Sequence, residues 1–89
     1  MQIQFDPQKD VLNRQKHGVS LAEAENIEWD TLWGFEDDRF NYSELRMIGF
    51  GYIGLRLYCV VYTELNEELW RIISLRLATR KEVERYAQA

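Results

Sequence analysis

One stretch restricts the fold more than any other: between Leu69 and Tyr86 the chain passes from strand chemistry to helix chemistry without a break. Leu69-Trp-Arg-Ile-Ile-Ser-Leu-Arg-Leu77 is an almost continuous run of β-branched and apolar residues, the composition of a strand covered on both faces. Arg71 and Arg76 interrupt it. Strict alternation places Arg71, Ile73, Leu75 and Leu77 on one side and Trp70, Ile72, Ser74 and Arg76 on the other, so the two arginines are expected to face opposite ways. Thr79-Arg-Lys-Glu82 then forms a capping box, in which a hydroxyl and a carboxylate satisfy the free amides at a helix start.

Met1 to Phe5 alternates apolar and polar residues, a short strand pattern. Asp6 suits an N-cap and Pro7 a first helical position, so a helix follows, and Gly18 closes it. Val11 and Leu12 give this helix a thin apolar stripe, while Lys9, Arg14, Lys16 and His17 gather toward its end, where cations complement the dipole. Ser20-Leu-Ala-Glu23 reads as a second capping box, opening a helix to about Glu28 that buries Leu21, Ala24 and Ile27. An irregular acidic segment, residues 29–42, carries Trp29, Trp33, Phe35, Phe40 and Tyr42, which suit either a satellite core or a partner-binding surface; Trp33-Gly-Phe-Glu36 suits a short edge strand.

Three strands follow, about residues 45–52, 55–63 and 69–77. The Ile53-Gly54 turn and the polar loop Glu64-Leu-Asn-Glu-Glu68 are short enough to make them an antiparallel meander. Gly49 and Gly51, two apart on one face, leave room for a close neighbour. The expected fold is α+β, a single domain over residues 1–89, with two N-terminal helices, a β-meander and a C-terminal helix covering one face of the sheet while the other stays partly open.

Composition narrows the function classes. A chain of 89 residues builds one core and no second domain. The single cysteine, Cys59, lies in an apolar strand segment and reads as a small buried hydrophobe, which points to a reducing, cytoplasmic compartment. No apolar run reaches transmembrane length and no leader pattern opens the chain, so no membrane is expected. The net charge of −4 conceals an asymmetry. Residues 21–45 hold eight acids and one arginine, whereas residues 69–89 hold five cations and two acids. A local positive field attracts phosphate, although a solvated mixed-charge helix gives the same counts.

One histidine and one cysteine argue against a metal site, and no cofactor fingerprint, phosphate loop or nucleophile elbow occurs. The arginines remain. On the meander, Arg46, Arg56, Arg71 and Arg76 occupy strand interiors, where charged residues are uncommon unless paired or used. Used, they suit a phosphate whose charge grows in a transition state. RNA brings its own nucleophile, because its 2′-hydroxyl attacks the adjacent phosphate and the protein need only position it, supply cations and move protons. His17, Glu44 and Tyr62 are the candidate proton-transfer groups.

Several short pieces, in order, resemble the BrnT-type toxins of bacterial type II toxin–antitoxin pairs, relatives in fold of the RelE-type ribonucleases. They are Phe5-Asp-Pro-Gln-Lys9, Asn13, Lys16-His-Gly-Val-Ser20, Glu23-Ala24, Tyr42-Ser-Glu-Leu-Arg46, Gly51, Val60-Val-Tyr-Thr-Glu64, Arg71-Ile-Ile-Ser74, Arg76, Ala78-Thr-Arg80 and Glu82. The resemblance implies an endoribonuclease that inhibits translation and arrests growth. It also implies neutralisation by a ribbon-helix-helix (BrnA-like) antitoxin in a heterotetramer, with operator DNA bound only through that antitoxin.

Matching polar positions are Lys16, His17, Glu44, Arg46, Arg71, Ser74, Arg76 and Arg80, with Arg46 and Arg76 the leading phosphate contacts. In this reading His17, Glu44, Arg46, Arg71 and Arg76 act in catalysis, Lys16, Tyr62, Ser74 and Arg80 bind RNA, and Trp29, Trp33 and Phe35 meet the antitoxin. Two features depart from the pattern: Leu77 stands where a basic residue is common, and the pI is near 4.9. They support an alternative, a non-catalytic binding module that acts only through its antitoxin complex.

Overall fold

The computed structural model describes residues 1–39 and 41–89; Phe40, one of the aromatics of the acidic segment, lies outside the described residues. The elements are β1 (Gln2–Gln4), α1 (Pro7–His17), 3-10 turns at Leu21–Asn26 and Trp29–Thr31, β2 (Trp33–Glu36), β3 (Met47–Ile53), β4 (Arg56–Glu64), β5 (Leu69–Leu77) and α2 (Arg80–Gln88). All five strands form one sheet in the order β1-β5-β4-β3-β2. From β2 to β5 each strand pairs antiparallel with its chain neighbour, and β1 joins the far edge of β5 in parallel, Gln4 opposite Arg71. The sheet is therefore mixed rather than a meander alone.

Two cores form, one on each face of the sheet, where the chain length predicted a single one. On one face, Leu21, Ala24 and Ile27 pack on Val60, Tyr62, Ile72 and Leu75. On the other, Ile48, Phe50, Leu57, Cys59 and Val61 lie beneath Trp33, Tyr52 and Tyr86. The helices thus divide between the faces instead of covering one. The reason is that α2 offers a single aromatic anchor, Tyr86, and the aromatic floor that receives it lies on the second face: Tyr52 and Trp33 meet its ring edge-on at 5.6 and 6.4 Å, and its hydroxyl donates to Thr31 O at 3.1 Å.

The N-terminal helices differ from expectation in two ways. Val11 and Leu12 face solvent, and the buried residue of α1 is Asn13. Its amide accepts from Leu75 N at 3.2 Å and donates to Leu75 O at 2.8 Å and Val19 O at 2.9 Å. Because β1 pairs only with residues 69–71 of β5, Asn13 supplies the hydrogen bonds that a longer neighbouring strand would make.

The second helix is 3-10 rather than α. Leu21, Ala24 and Ile27 recur at every third residue, the period of a 3-10 turn. The Ser20–Glu23 capping box does not form. Ser20 Oγ accepts from Ala22 N, while Asp10 Oδ1 of α1 accepts from Ser20 Oγ and from Leu21 N, and Glu23 turns to Asn26. Both β3 glycines admit a neighbour: a Cβ on Gly49 would stand 2.7 Å from Leu32 Cδ2, and one on Gly51 would stand 2.9 Å from both Ile27 and Leu32.

Candidate functional site

A β-bulge decides where the arginines go. Tyr62 pairs with Ile72, but Val61 pairs with Ser74, so Ile73 is an extra residue on β5 and the alternation changes phase there. Arg71 lies opposite Thr63, and Arg76 opposite Cys59. Thr63 and Cys59 are four apart on β4 and share a face, so Arg71 and Arg76 share it too, contrary to the expectation from strict alternation.

Arg46 joins them. Asp37 N donates to Arg46 O at 2.8 Å, continuing the β2–β3 register by one pair beyond Glu36 and Met47. The second face therefore carries three rows across the sheet: Asp37, Arg46, Thr63 and Arg71, then Phe35, Ile48, Val61 and Ser74, then Trp33, Phe50, Cys59 and Arg76. Tyr86 roofs the Trp33 end of the third row. The first two rows reach solvent at both margins, through Phe35 and Arg71.

Arg56, the fourth arginine, starts β4 opposite Ile53, at the far end of the strand from Thr63 and out of phase with Leu57 and Cys59, so it takes no part in this face; the other three differ in their engagement. Arg76 holds Glu82 in a bidentate pair, Nη1 to Oε1 at 2.8 Å and Nη2 to Oε2 at 2.9 Å, and Nη1 also donates to Leu77 O at 3.1 Å. A guanidinium has five donors; these contacts leave the Nε and outer Nη2 hydrogens, the side-on fork that matches two phosphate oxygens. Glu82 closes the α2 capping box with Thr79, whose N donates to Oε1 at 2.8 Å. The hydrogen bonds from Arg76 hold its carboxyl down at about 2.

Arg46 lies over the Tyr42 ring at 4.1 Å, its Nε 3.5 Å from Glu44 Oε1 and buried without a hydrogen bond. Arg71 is exposed and makes no ion pair among the described residues.

His17, at the end of α1, stands one helical turn beyond Asn13 and so lies along the β5 edge near Arg76. Burial, then the charges of Lys16 and Arg76, lower its pKa below 6.5, which leaves the imidazole neutral and able to accept a proton at pH 7. Lys16 is exposed beside it. Arg80 projects into solvent, 3.6 Å from Glu84.

Tyr62 belongs to the opposite face. It is 4% exposed, stacked on Trp70 at 5.0 Å with Trp29 edge-on at 5.2 Å, so it does not reach the arginine face. Trp29 belongs to the same core and donates from its indole to Ala24 O, whereas Trp33 and Phe35 lie on the arginine face.

Sequence reasoning passed over Asp37 and Arg39. The Asp37 carboxylate is 1% exposed, takes Arg39 Nε at 2.7 Å and Nη2 at 2.9 Å, and is held at about 2 by those bonds. Arg39 in turn opposes the charge of Arg76 across the face. The acid and arginine two residues apart in a loop were its only signal. Cys59 lies beneath, its thiol pushed up to about 11 by burial and thus unreactive. Among the described residues no three His, Cys, Asp or Glu side chains gather to hold a metal ion, and no helix is long and apolar enough to cross a membrane.

No curated protein matches the chain. The crystal structure of the Brucella abortus ribonuclease toxin, BrnT, at 1.1 Å resolution, superposes with a TM-score of 0.70 over 90% of this chain and 99% of that one, at 25% identity. Residues 5–82 match the family profile described as the ribonuclease toxin, BrnT, of type II toxin–antitoxin systems. The chain belongs to the BrnT family of ribonuclease toxins.

Proposed function

We propose that this chain is a cytoplasmic endoribonuclease that cuts RNA without a metal ion and is silenced by a ribbon-helix-helix antitoxin. The observation that carries the reading is the bulge that brings Arg71 and Arg76 onto one face with Arg46. The scissile phosphate lies between His17 and the free side-on fork of Arg76. His17 takes the 2′-hydroxyl proton as that oxygen bonds to phosphorus, the bond to the 5′-oxygen breaks, and the leaving oxygen takes a proton from water. Arg76 meets the charge that grows on the phosphoryl oxygens, and Glu82 fixes the plane of the guanidinium. Glu44 anchors Arg46; Arg46, Arg71, Ser74, Lys16 and Arg80 hold the flanking strand.

The antitoxin meets the acidic edge. β2 is the outermost strand, Phe35 is 44% exposed on it, and residues 21–45 carry a net charge of −7, which attracts a basic partner. Two toxins and two antitoxins form the repressing complex, and the antitoxin alone touches operator DNA.

A second reading, the non-catalytic binding module, draws on the ion pairs that engage Arg76 and Arg46. The test incubates the partner-free chain with RNA in excess chelator, with Arg71→Gln beside it. Arg71 takes part in no ion pair among the described residues, so fragments from the wild type and far fewer from the variant support the enzyme. RNA left whole by the wild type, both alone and in a translation extract, overturns it in favour of the binding module.

A further inference from the structure

We propose that the cleft where the start of α1 meets β5 is a second phosphate subsite, which grips the RNA backbone away from the bond that is cut, with Lys9 as its new member. This rests on the reading that the arginine face binds RNA. The cleft has a volume of about 320 Å³ and is lined by Gln4, Asp6, Lys9, Arg71 and Ile73, among others.

Two features favour a phosphate there. Lys9 and Arg71 come from different elements and line one cleft, and neither makes an ion pair among the described residues. The parallel register sets Gln4 opposite Arg71, adding an amide donor on the same side. Asp6 brings one opposing charge, already engaged in accepting Gln8 N at 2.9 Å as the helix cap.

Position suits a backbone contact. Arg71 and Arg76 are five residues apart on one strand, about 15 Å, and α1 lies along the same edge, with Lys9, Asn13 and His17 at successive turns. A strand of RNA held at Arg76 and His17 and followed along that edge arrives at Lys9 and Arg71. A dinucleotide engaged at Arg76 is too short to reach it.

The experiment measures binding of a 2′-O-methyl RNA of about twelve nucleotides, which cannot be cut, to the wild type, Lys9→Gln and an Arg56→Gln control over a range of salt. For Lys9→Gln the expected result is about 3- to 10-fold weaker binding, with a salt slope lower by about 0.7, the loss of one phosphate contact on a single strand. Arg56→Gln is expected to match the wild type, and a 2′-O-methyl dinucleotide is expected to bind Lys9→Gln and wild type within about twofold. Wild-type affinity and slope in Lys9→Gln, or an equal loss with the dinucleotide, overturns the subsite. The two readings fail separately. Long RNA bound through Lys9 but never cut retains the subsite and rejects catalysis; a silent Lys9→Gln in an enzyme that cuts rejects the subsite alone. A wild type that binds no RNA rejects both.

Discussion

Changing Glu82 to Gln removes one charge and leaves an amide able to accept from Thr79 N, so it isolates the ion pair with Arg76 from the helix cap. The Glu82 carboxyl is held at about 2, against 4.5 ordinarily. That difference sets a ceiling of about 3.4 kcal/mol, at about 1.36 kcal/mol per pKa unit. The paired side chains are 32% and 21% exposed, so solvent screening trims the contribution to about 2 kcal/mol.

The folded carboxyl titrates below the unfolded one; its contribution is therefore complete above about pH 4.5 and is lost as the pH falls through about 2. Urea unfolding of both proteins from pH 7 down to pH 3 measures it. Glu82→Gln should be less stable by about 2 kcal/mol at pH 7, or about 8–16 °C in Tm, with the gap narrowing steadily below pH 4.5. Freed from its carboxylate, Arg76 also loses its fixed plane, so RNA cleavage should slow under conditions where the variant is fully folded. A gap under about 0.5 kcal/mol at pH 7, or one that does not change with pH, refutes the reasoning.

Two further outcomes follow from the same geometry. The single-turnover cleavage rate should rise with pH through a pKa below 6.5 and level off by neutrality, and His17→Gln should lose about 100-fold or more together with that acid limb; an unchanged limb in the variant would place the base elsewhere. Asn13→Ala leaves Leu75 N and O unpaired at the sheet edge and should cost about 2–4 kcal/mol in denaturant unfolding, with cleavage reduced because His17 loses its mooring; a cost under about 1 kcal/mol would show that water replaces the amide there.

How much of this was legible in the sequence depended on whether the signal was local. The α2 capping box, the α1 cap at Asp6 and the glycine pair on β3 each rest on chemistry within a few residues, and the structure shows all three. The Ser20 box failed because Glu23 N bonds to Ser20 O in the 3-10 turn, while the Ser20 hydroxyl donates to Asp10, a side chain ten residues upstream. Alternation put Arg71 and Arg76 on opposite faces because a bulge has no signature in the sequence of one strand; it arises from the pairing of two. Tyr62 looked available for chemistry, yet the row of Trp29, Tyr62 and Trp70 assembles only once β4 and β5 pair. Asn13 had no apolar signal at all, since its role is to complete a strand edge.

The most direct test of the central claim is the chemistry of the RNA ends left by the wild-type chain in excess chelator. The account predicts fragments with 2′,3′-cyclic phosphate and 5′-hydroxyl ends, the products of 2′-hydroxyl attack, and none from RNA carrying 2′-O-methyl groups throughout. Ends bearing a 5′-phosphate, or cutting that appears only when a divalent metal is restored, would contradict it.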